Sequence, residues 1–171
     1  MEIARIATLI VSTLMMGLMA GVFAIYANAI MPGLNRTDDR TFVGAFQSID
    51  TAIINPLFLM TFFGALVVTG ISAALHLSNE FRSGLPWIVV ALALYLAVVV
   101  ITLVVNVPLN DAIKATGAPD DMADLAAVRE QFNEPRWVGW NLFRTVATTA
   151  AVGCLAWALV LLGRAGTSGG P

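Results

Sequence analysis

Four apolar runs divide the chain. No Asp, Glu, Lys or Arg occurs between Arg5 and Arg36, Asp50 and Glu80, Arg82 and Asp111, or Arg144 and Arg164. Each run holds the roughly 20 residues that an α-helix needs to cross a bilayer core, whereas barrel strands would be half as long and would alternate. The runs predict helical spans at residues 6–31, 52–77, 85–107 and 137–163, forming one transmembrane domain over 1–163 with a Gly-rich flexible tail at 164–171.

The connections carry helix punctuation. Pro32-Gly33 ends the first span, and Thr37-Asp38-Asp39 offers caps for a new helix on which Phe42, Phe46, Ile49 and Ile53 recur at helical spacing. That pattern predicts an amphipathic helix along the membrane surface, leading into the second span at Pro56. The polar turn at 78–84 is short enough to make the third span antiparallel, and Pro108, which has no N–H to donate, closes that span. Gly117-Ala118-Pro119 then breaks the chain, Asp120 or Asp121 caps, and Met122, Leu125, Val128 and Phe132 form a second surface stripe before Pro135 opens the fourth span. The fold expected is all-α: a four-transmembrane-helix antiparallel bundle with two short interfacial amphipathic helices on one face. The halves resemble each other, Asn28 and Pro32 answering Asn106 and Pro108, as a duplicated helical hairpin would produce.

Composition sharpens this picture. Charged residues make up 12 % of the 171 residues, against about 25 % in globular domains, too few to cover a hydrated surface. A net charge of −2 without a basic patch argues against nucleic acid as a partner. The single cysteine, Cys154, lies deep in the fourth span and rules out an internal disulfide. The apolar start outruns a signal peptide's hydrophobic region, so a retained first span is expected, with Gly17, Ala20, Gly21 and Ala24 suited to close helix contact. Density of Arg and Lys leans towards cytoplasmic termini.

With an even number of spans, the ends of the first and third and the starts of the second and fourth share one face. The side-chain amides and their neighbours collect there: Asn28, Asn55, Asn106, Asn110, Asp111, Trp137, Trp140, Asn141 and Arg144. Trp137, Asn141 and Arg144 are spaced i, i+4, i+7, within about 60° of one another on a helix, with Trp140 at the margin. Each residue alone reads as interhelical glue or an interfacial anchor. Together they predict a pocket. His76, the one histidine, lies at the opposite end of the second span, so no zinc, haem or iron–sulfur ligand set exists. No metal and no organic cofactor is expected. The paired aspartates read as caps rather than calcium ligands, and Met15, Met16 and Met19 as core filler rather than a copper relay.

NVPLND after the third span, WxxWNxxR opening the fourth and FVGAFQSIDTAIINP before the second together resemble the anthrone oxygenase-like family of four-span membrane proteins, over nearly the whole chain. The resemblance implies that Asn106, Pro108, Asn110, Trp137, Trp140, Asn141 and Arg144, with Gln47 and Asn55, form the family's site. It also implies oxidation of a polyketide anthrone by molecular oxygen. On that footing Trp137 and Trp140 would flank a flat aromatic, Asn106, Asn110 and Asn141 would bond its oxygens, and Arg144 would stabilise negative charge. Asp111 and Asp50 are the candidate bases by position.

Two functions are expected. One is a cofactor-independent oxygenase, with Arg144, Asn141 and Asp111 in catalysis and Asn28, Gln47, Asn55, Asn106, Asn110, Trp137 and Trp140 binding a lipophilic aromatic or quinone-like molecule. The other is a non-catalytic membrane protein whose ring binds lipid or a partner, or only holds the bundle together. The bilayer is a partner in either case. A homo-oligomer stays open, and a transporter made of four spans without a central charge would require one.

Overall fold

The computed structural model describes residues 2–77 and 82–168. Among the described residues four helices are long and apolar enough to span a membrane: Glu2–Leu34, Pro56–Leu75, Leu85–Ala115 and Leu125–Arg164. The protein is a multi-pass integral membrane protein. In chain order its helices are α1 (Glu2–Ile25), α2 (Met31–Leu34), α3 (Asp39–Ile53), α4 (Pro56–Leu75), α5 (Leu85–Ile101), α6 (Val107–Ala115), α7 (Leu125–Phe132) and α8 (Glu134–Ser168). α1 packs on α4 and α8, and α5 packs on α8 and α4, so the spans form a ring in the order α1, α4, α5, α8. The α4/α5 seam is the loosest of the four.

Two π-helical turns connect the pieces of the long helices. Tyr26–Ile30 joins α1 to α2, and Thr102–Asn106 joins α5 to α6. Each begins six residues before a proline, Pro32 or Pro108. A proline inside a helix removes one donor and presses its ring on the carbonyl four residues back; a wider turn relieves both faults without ending the helix. Pro108 therefore does not close the third span, as its lost donor predicts. The helix continues through it to Ala115.

Two layers of core result. Within the membrane Leu9, Met16, Met19, Phe23, Phe62, Ala65, Ile88, Tyr95, Val98, Ala151 and Leu155 pack together. At one face Tyr26, Met31, Phe42, Phe46, Ile113, Phe132 and Trp137 form a second cluster under α3 and α7. These are the two amphipathic helices expected, and Phe46 meets Phe132 at 4.6 Å and Trp137 edge-on at 5.8 Å between ring centroids. Outside the ring Leu14, Leu18, Leu57, Met60, Val67, Val104 and Val146 are exposed, a surface only lipid would cover. Trp87 and Trp157 meet at 6.5 Å near the opposite face, with Arg164 over Trp157, an aromatic belt at the second interface.

Several local expectations change. A Cβ on Gly17 or Gly21 would touch nothing, because the packed face of α1 is set by Ser12, Met16, Met19 and Phe23, whose bulk turns the small residues outward. The close approach is at Gly64 instead, against the Met15 side chain. Asp38 caps α3 as expected, accepting from the Thr41 N–H at 2.8 Å. That backbone bond holds its carboxyl below the usual range, so the cap's contribution is present above the ordinary carboxylate pKa and fades as pH falls through the lowered one. The cap of α7 is Asp124, accepting from the Ala127 N–H, while Asp120 pairs with Arg40. The tail differs too: α8 runs on to Ser168, so residues 164–168 are helical, and the remainder of the expected tail lies outside the described residues, as does most of the polar turn, 78–81.

α7 and α8 meet at Asn133, whose φ of 54° is left-handed and whose Oδ1 accepts from the Arg136 N–H. Asn133→Ala loses both the tolerated backbone geometry and the cap, and is expected to cost about 1–2 kcal/mol. Asn133→Gly keeps the geometry and is expected to lose only a few tenths. Thermal unfolding in detergent compares the two.

Candidate functional site

The site forms where the π turns meet the start of α8. In Thr102–Asn106 the end residues Thr102 and Asn106 are both buried, so the turn points two polar groups inward. Tyr26, first residue of the other turn, is buried as well. Opposite them Trp137, Asn141 and Arg144 lie on one buried face of α8, as their spacing requires. At 1.5 Å per residue Arg144 stands about 15 Å along the helix from Glu134, beyond the level of α3 and α7.

Hydrogen bonds tie these elements together. Arg144 Nη2 donates to Asn141 Oδ1 at 2.9 Å and Nη1 to Thr102 Oγ1 at 3.2 Å. Its guanidinium carbon lies 4.6 Å from the centroid of the Phe23 ring and 5.4 Å from that of Trp137. Asn141 Nδ2 donates to the Phe23 carbonyl at 3.1 Å, three residues before the first π turn. Asn106 Nδ2 reaches the Trp137 carbonyl at 3.3 Å. Arg144 thus does not extend to the headgroups. It is 5 % exposed and held inside the bundle.

Towards the water face a second set of contacts closes the site. Trp137 Nε1 donates to Asn110 Oδ1 at 2.7 Å, and Asn110 Nδ2 donates to Asp50 Oδ1 at 2.6 Å. Lys114 Nζ pairs with Asp50 Oδ2 at 2.8 Å and with Asp111 at 3.2 Å. Among the described residues, then, the buried carboxylate Asp50 has a cation and the buried cation Arg144 has no carboxylate.

Between these sets lies a cavity of about 130 Å³. Asp50, Thr102, Asn106, Asn110, Asn141 and Arg144 supply its polar wall; Phe23, Tyr26, Phe58, Phe62 and Trp137 supply much of the apolar one. Two polar atoms of these lining side chains have no partner: the acceptor Asn106 Oδ1 and the donor Arg144 Nε, in side chains 1 % and 5 % exposed. Buried polar groups are paired in the great majority of cases, so an orphaned donor and acceptor in the side chains of one cavity make it the candidate site. Among the described residues no three His, Cys, Asp or Glu side chains assemble.

The structure brings Asn106, Asn110, Trp137, Asn141 and Arg144 together around this cavity and leaves five predicted residues elsewhere. Asn28 is exposed, because it stands two residues past Tyr26 and so falls off the buried face that Met16, Met19, Phe23 and Tyr26 share. Asn55 caps α4, accepting from the Phe58 N–H. Gln47 donates to the carbonyls of Ile113 and Gly117, clamping the end of α6. Trp140 faces outward against Phe143. Asp111 is 63 % exposed and paired with Lys114, outside the cavity wall; of the two candidate bases only Asp50 lines it. Tyr26, Phe23 and Thr102 were not anticipated. Thr102 stands four residues before Asn106, a spacing that could have identified it, whereas nothing in the sequence marks Phe23.

The profile of the anthrone oxygenase family matches residues 57–154. The chain belongs to this family. The match takes in the α4 to α8 segment that supplies Thr102, Asn106, Asn110, Trp137, Asn141 and Arg144. The first span, with Phe23 and Tyr26, and the segment FVGAFQSIDTAIINP lie before it, so the match is shorter than the nearly complete likeness expected. No curated protein and no solved structure matches the chain.

Asn141 is the joint of the site, accepting from Arg144 and donating to Phe23. Asn141→Ala removes the bond between α8 and the Phe23 carbonyl and takes an acceptor from a buried cation, and is expected to lower stability by about 1–3 kcal/mol. Asn28→Ala, on an exposed position, is expected to stay within about 0.5 kcal/mol of the parent. Chemical denaturation of both variants in the same detergent reads the difference.

Proposed function

We propose that this protein is a cofactor-independent oxygenase of a flat, lipophilic, enolisable aromatic ketone, bound in the cavity beside Arg144. What carries the reading is Arg144 itself: a cavity-lining guanidinium buried without a carboxylate among the described residues, with its Nε unsatisfied. A lone buried cation costs several kcal/mol in isolation and stabilises an oxygen on which negative charge develops. Family membership agrees with that class of chemistry.

In this reading Asp50 takes a proton from the ring CH₂ that is conjugated through the aromatic rings with the carbonyl, and the enolate oxygen lies against Arg144 Nε. Asn106 Oδ1 accepts from a substrate hydroxyl, and Trp137 and Tyr26, 5.6 Å apart, line the aromatic face. The carbanion gives an electron pair to dioxygen, a C–O bond forms, and the peroxide takes up the proton. Loss of the second C–H proton with cleavage of the O–O bond releases water and leaves a carbonyl. The CH₂ group and O₂ become C=O and H₂O. Lys114, 2.8 Å from Asp50 Oδ2, holds the base in place beside the cavity.

The same bonds serve a second reading. Asn141 to Phe23 and Asn106 to Trp137 connect α8 with the first and third spans, and a bundle that only needed to hold together would use them. It would have no use for an orphaned donor and acceptor, which favours the oxygenase.

Oxygen consumption by the purified protein with an anthrone as probe separates the readings. Uptake above empty vesicles is expected, with Asp50→Asn lowering the rate by about 10²-fold or more and Asp111→Asn leaving it near the parent's. Equal loss in both variants would take the base role from Asp50, and no uptake at all would remove the oxygenase.

A further inference from the structure

We propose that the molecule bound beside Arg144 enters and leaves sideways, from the hydrocarbon of the membrane, through the seam between α4 and the π turn of α5. The inference rests on the ligand site proposed above and adds its route and the physical state of its ligand: a bilayer-dissolved aromatic with one hydroxyl donor and one carbonyl acceptor, not a molecule taken from water.

The cavity wall is uneven in its exposure. Ile54, Leu59, Phe63 and Leu103 line the cavity and are also 40 to 51 % exposed, so they belong at once to its wall and to the outer surface. All four are apolar. They come from the end of α3, from α4 and from the second π turn, and the seam they border is the loosest in the ring. A polar ligand drawn from water would meet no hydrogen-bond partner on this rim; a lipid-dissolved aromatic would meet only the surfaces it already prefers.

The opposite side is shut. Asp50, Asn110, Trp137 and Lys114 are joined by contacts of 2.6 to 2.8 Å across α3, α6 and α8. Beneath α3 and α7 the rings of Phe42, Phe46 and Phe132 fill the space between this lattice and the water face. Passage there would break an ion pair and two short hydrogen bonds, whereas the rim asks only for rotation of Leu or Phe side chains. Phe63 is braced edge-on by Phe62 at 5.0 Å, and Tyr95 donates from its hydroxyl to the Phe62 carbonyl, so the α4 edge has a fixed inner layer and a movable outer one. The nature of the occupant is set by the two groups inside: a positive donor at Arg144 Nε and an acceptor at Asn106 Oδ1, both unpartnered.

The full chain in vesicles, carrying Trp87→Phe, Trp140→Phe and Trp157→Phe, keeps Trp137 as its indole in the cavity wall. The probe is 5-hydroxy-1,4-naphthoquinone, lipophilic and a quencher of indole fluorescence, followed by stopped flow. Leu59→Phe with Leu103→Phe narrows the rim at positions that face lipid. We expect the quenching rate to fall about tenfold while the final extent stays near the parent's, as narrowing a path changes rate more than affinity. A sulfonated naphthoquinone confined to water is expected to leave Trp137 bright. Parent-like rates in the rim variant, or equal quenching by the sulfonated probe, would overturn the lateral route. If the rim variant has no effect while Arg144→Gln weakens quenching by the lipophilic probe, the route falls and the site stands. If the lipophilic probe does not quench Trp137 in the parent, site and route fall together.

Discussion

A guanidinium inside a lipid-embedded bundle must be satisfied by the protein that surrounds it, and the burial of Arg144 sets terms for every neighbouring element. Its two terminal nitrogens take Asn141 and Thr102, and the faces of Phe23 and Trp137 supply electron-rich surface within 4.6 and 5.4 Å. Those partners come from the first, third and fourth spans, so the cation is also a fastener among them. Removing the polar partners would leave a charge in a low-dielectric site; replacing the whole group with apolar residues would cost far less. Retaining a buried cation that is well held yet not fully paired fits a binding role better than a packing one.

Proline supplies the geometry that brings Thr102 and Tyr26 to that point. In a regular helix Pro32 and Pro108 would each break the ladder in the outer part of a span. The π turns before them take in the fault without ending the helix, and Asn141 reaches the Phe23 carbonyl on the turn before one of them. Asn141 thus does two things, tying α8 to the first span and lining the cavity.

Helix faces also explain what the sequence could and could not reveal. Charge-free runs located all four spans, and Phe42, Phe46 and Phe132 located the surface helices, because hydrophobic spacing survives whatever the ends do. Trp137, Asn141 and Arg144 stood on one face as expected because α8 is unbroken there. Asn28 did not, since it stands two residues past Tyr26, about 200° round the helix from the buried face. Asp111 was chosen by nearness in sequence, but it lies one position beyond Asn110 on a continuing helix, and one step along a helix changes the face. The open space at Gly17 and Gly21 has a different origin: small residues indicate close contact only when the competing face is less bulky, and here Met16, Met19 and Phe23 occupy the interior.

The two halves share a plan, and their differences say where chemistry can reside. Each has a long helix with a π turn before a proline, a capped amphipathic helix, and a second span opening on proline. Aligning Pro56 with Pro135 sets Phe58, Phe62 and Ala65 against Trp137, Asn141 and Arg144; aligning Pro32 with Pro108 sets Ile30 and Leu34 against Asn106 and Asn110. The second half carries the amides and the cation, and the first has apolar residues at the same places. Phe58 and Phe62 line the cavity together with Asn141 and Arg144, so the first half supplies mostly apolar lining, with Asp50 its one charged group, and the second half supplies the amides and the cation. A symmetric pair of polar halves would have buried two cations facing each other, at a Coulombic cost that falls only slowly with distance in low dielectric. A symmetric pair of apolar halves would have packed shut. Unequal halves leave a hollow that is greasy on one side and hydrogen-bonding on the other, the distribution a flat aromatic with oxygens along one edge requires.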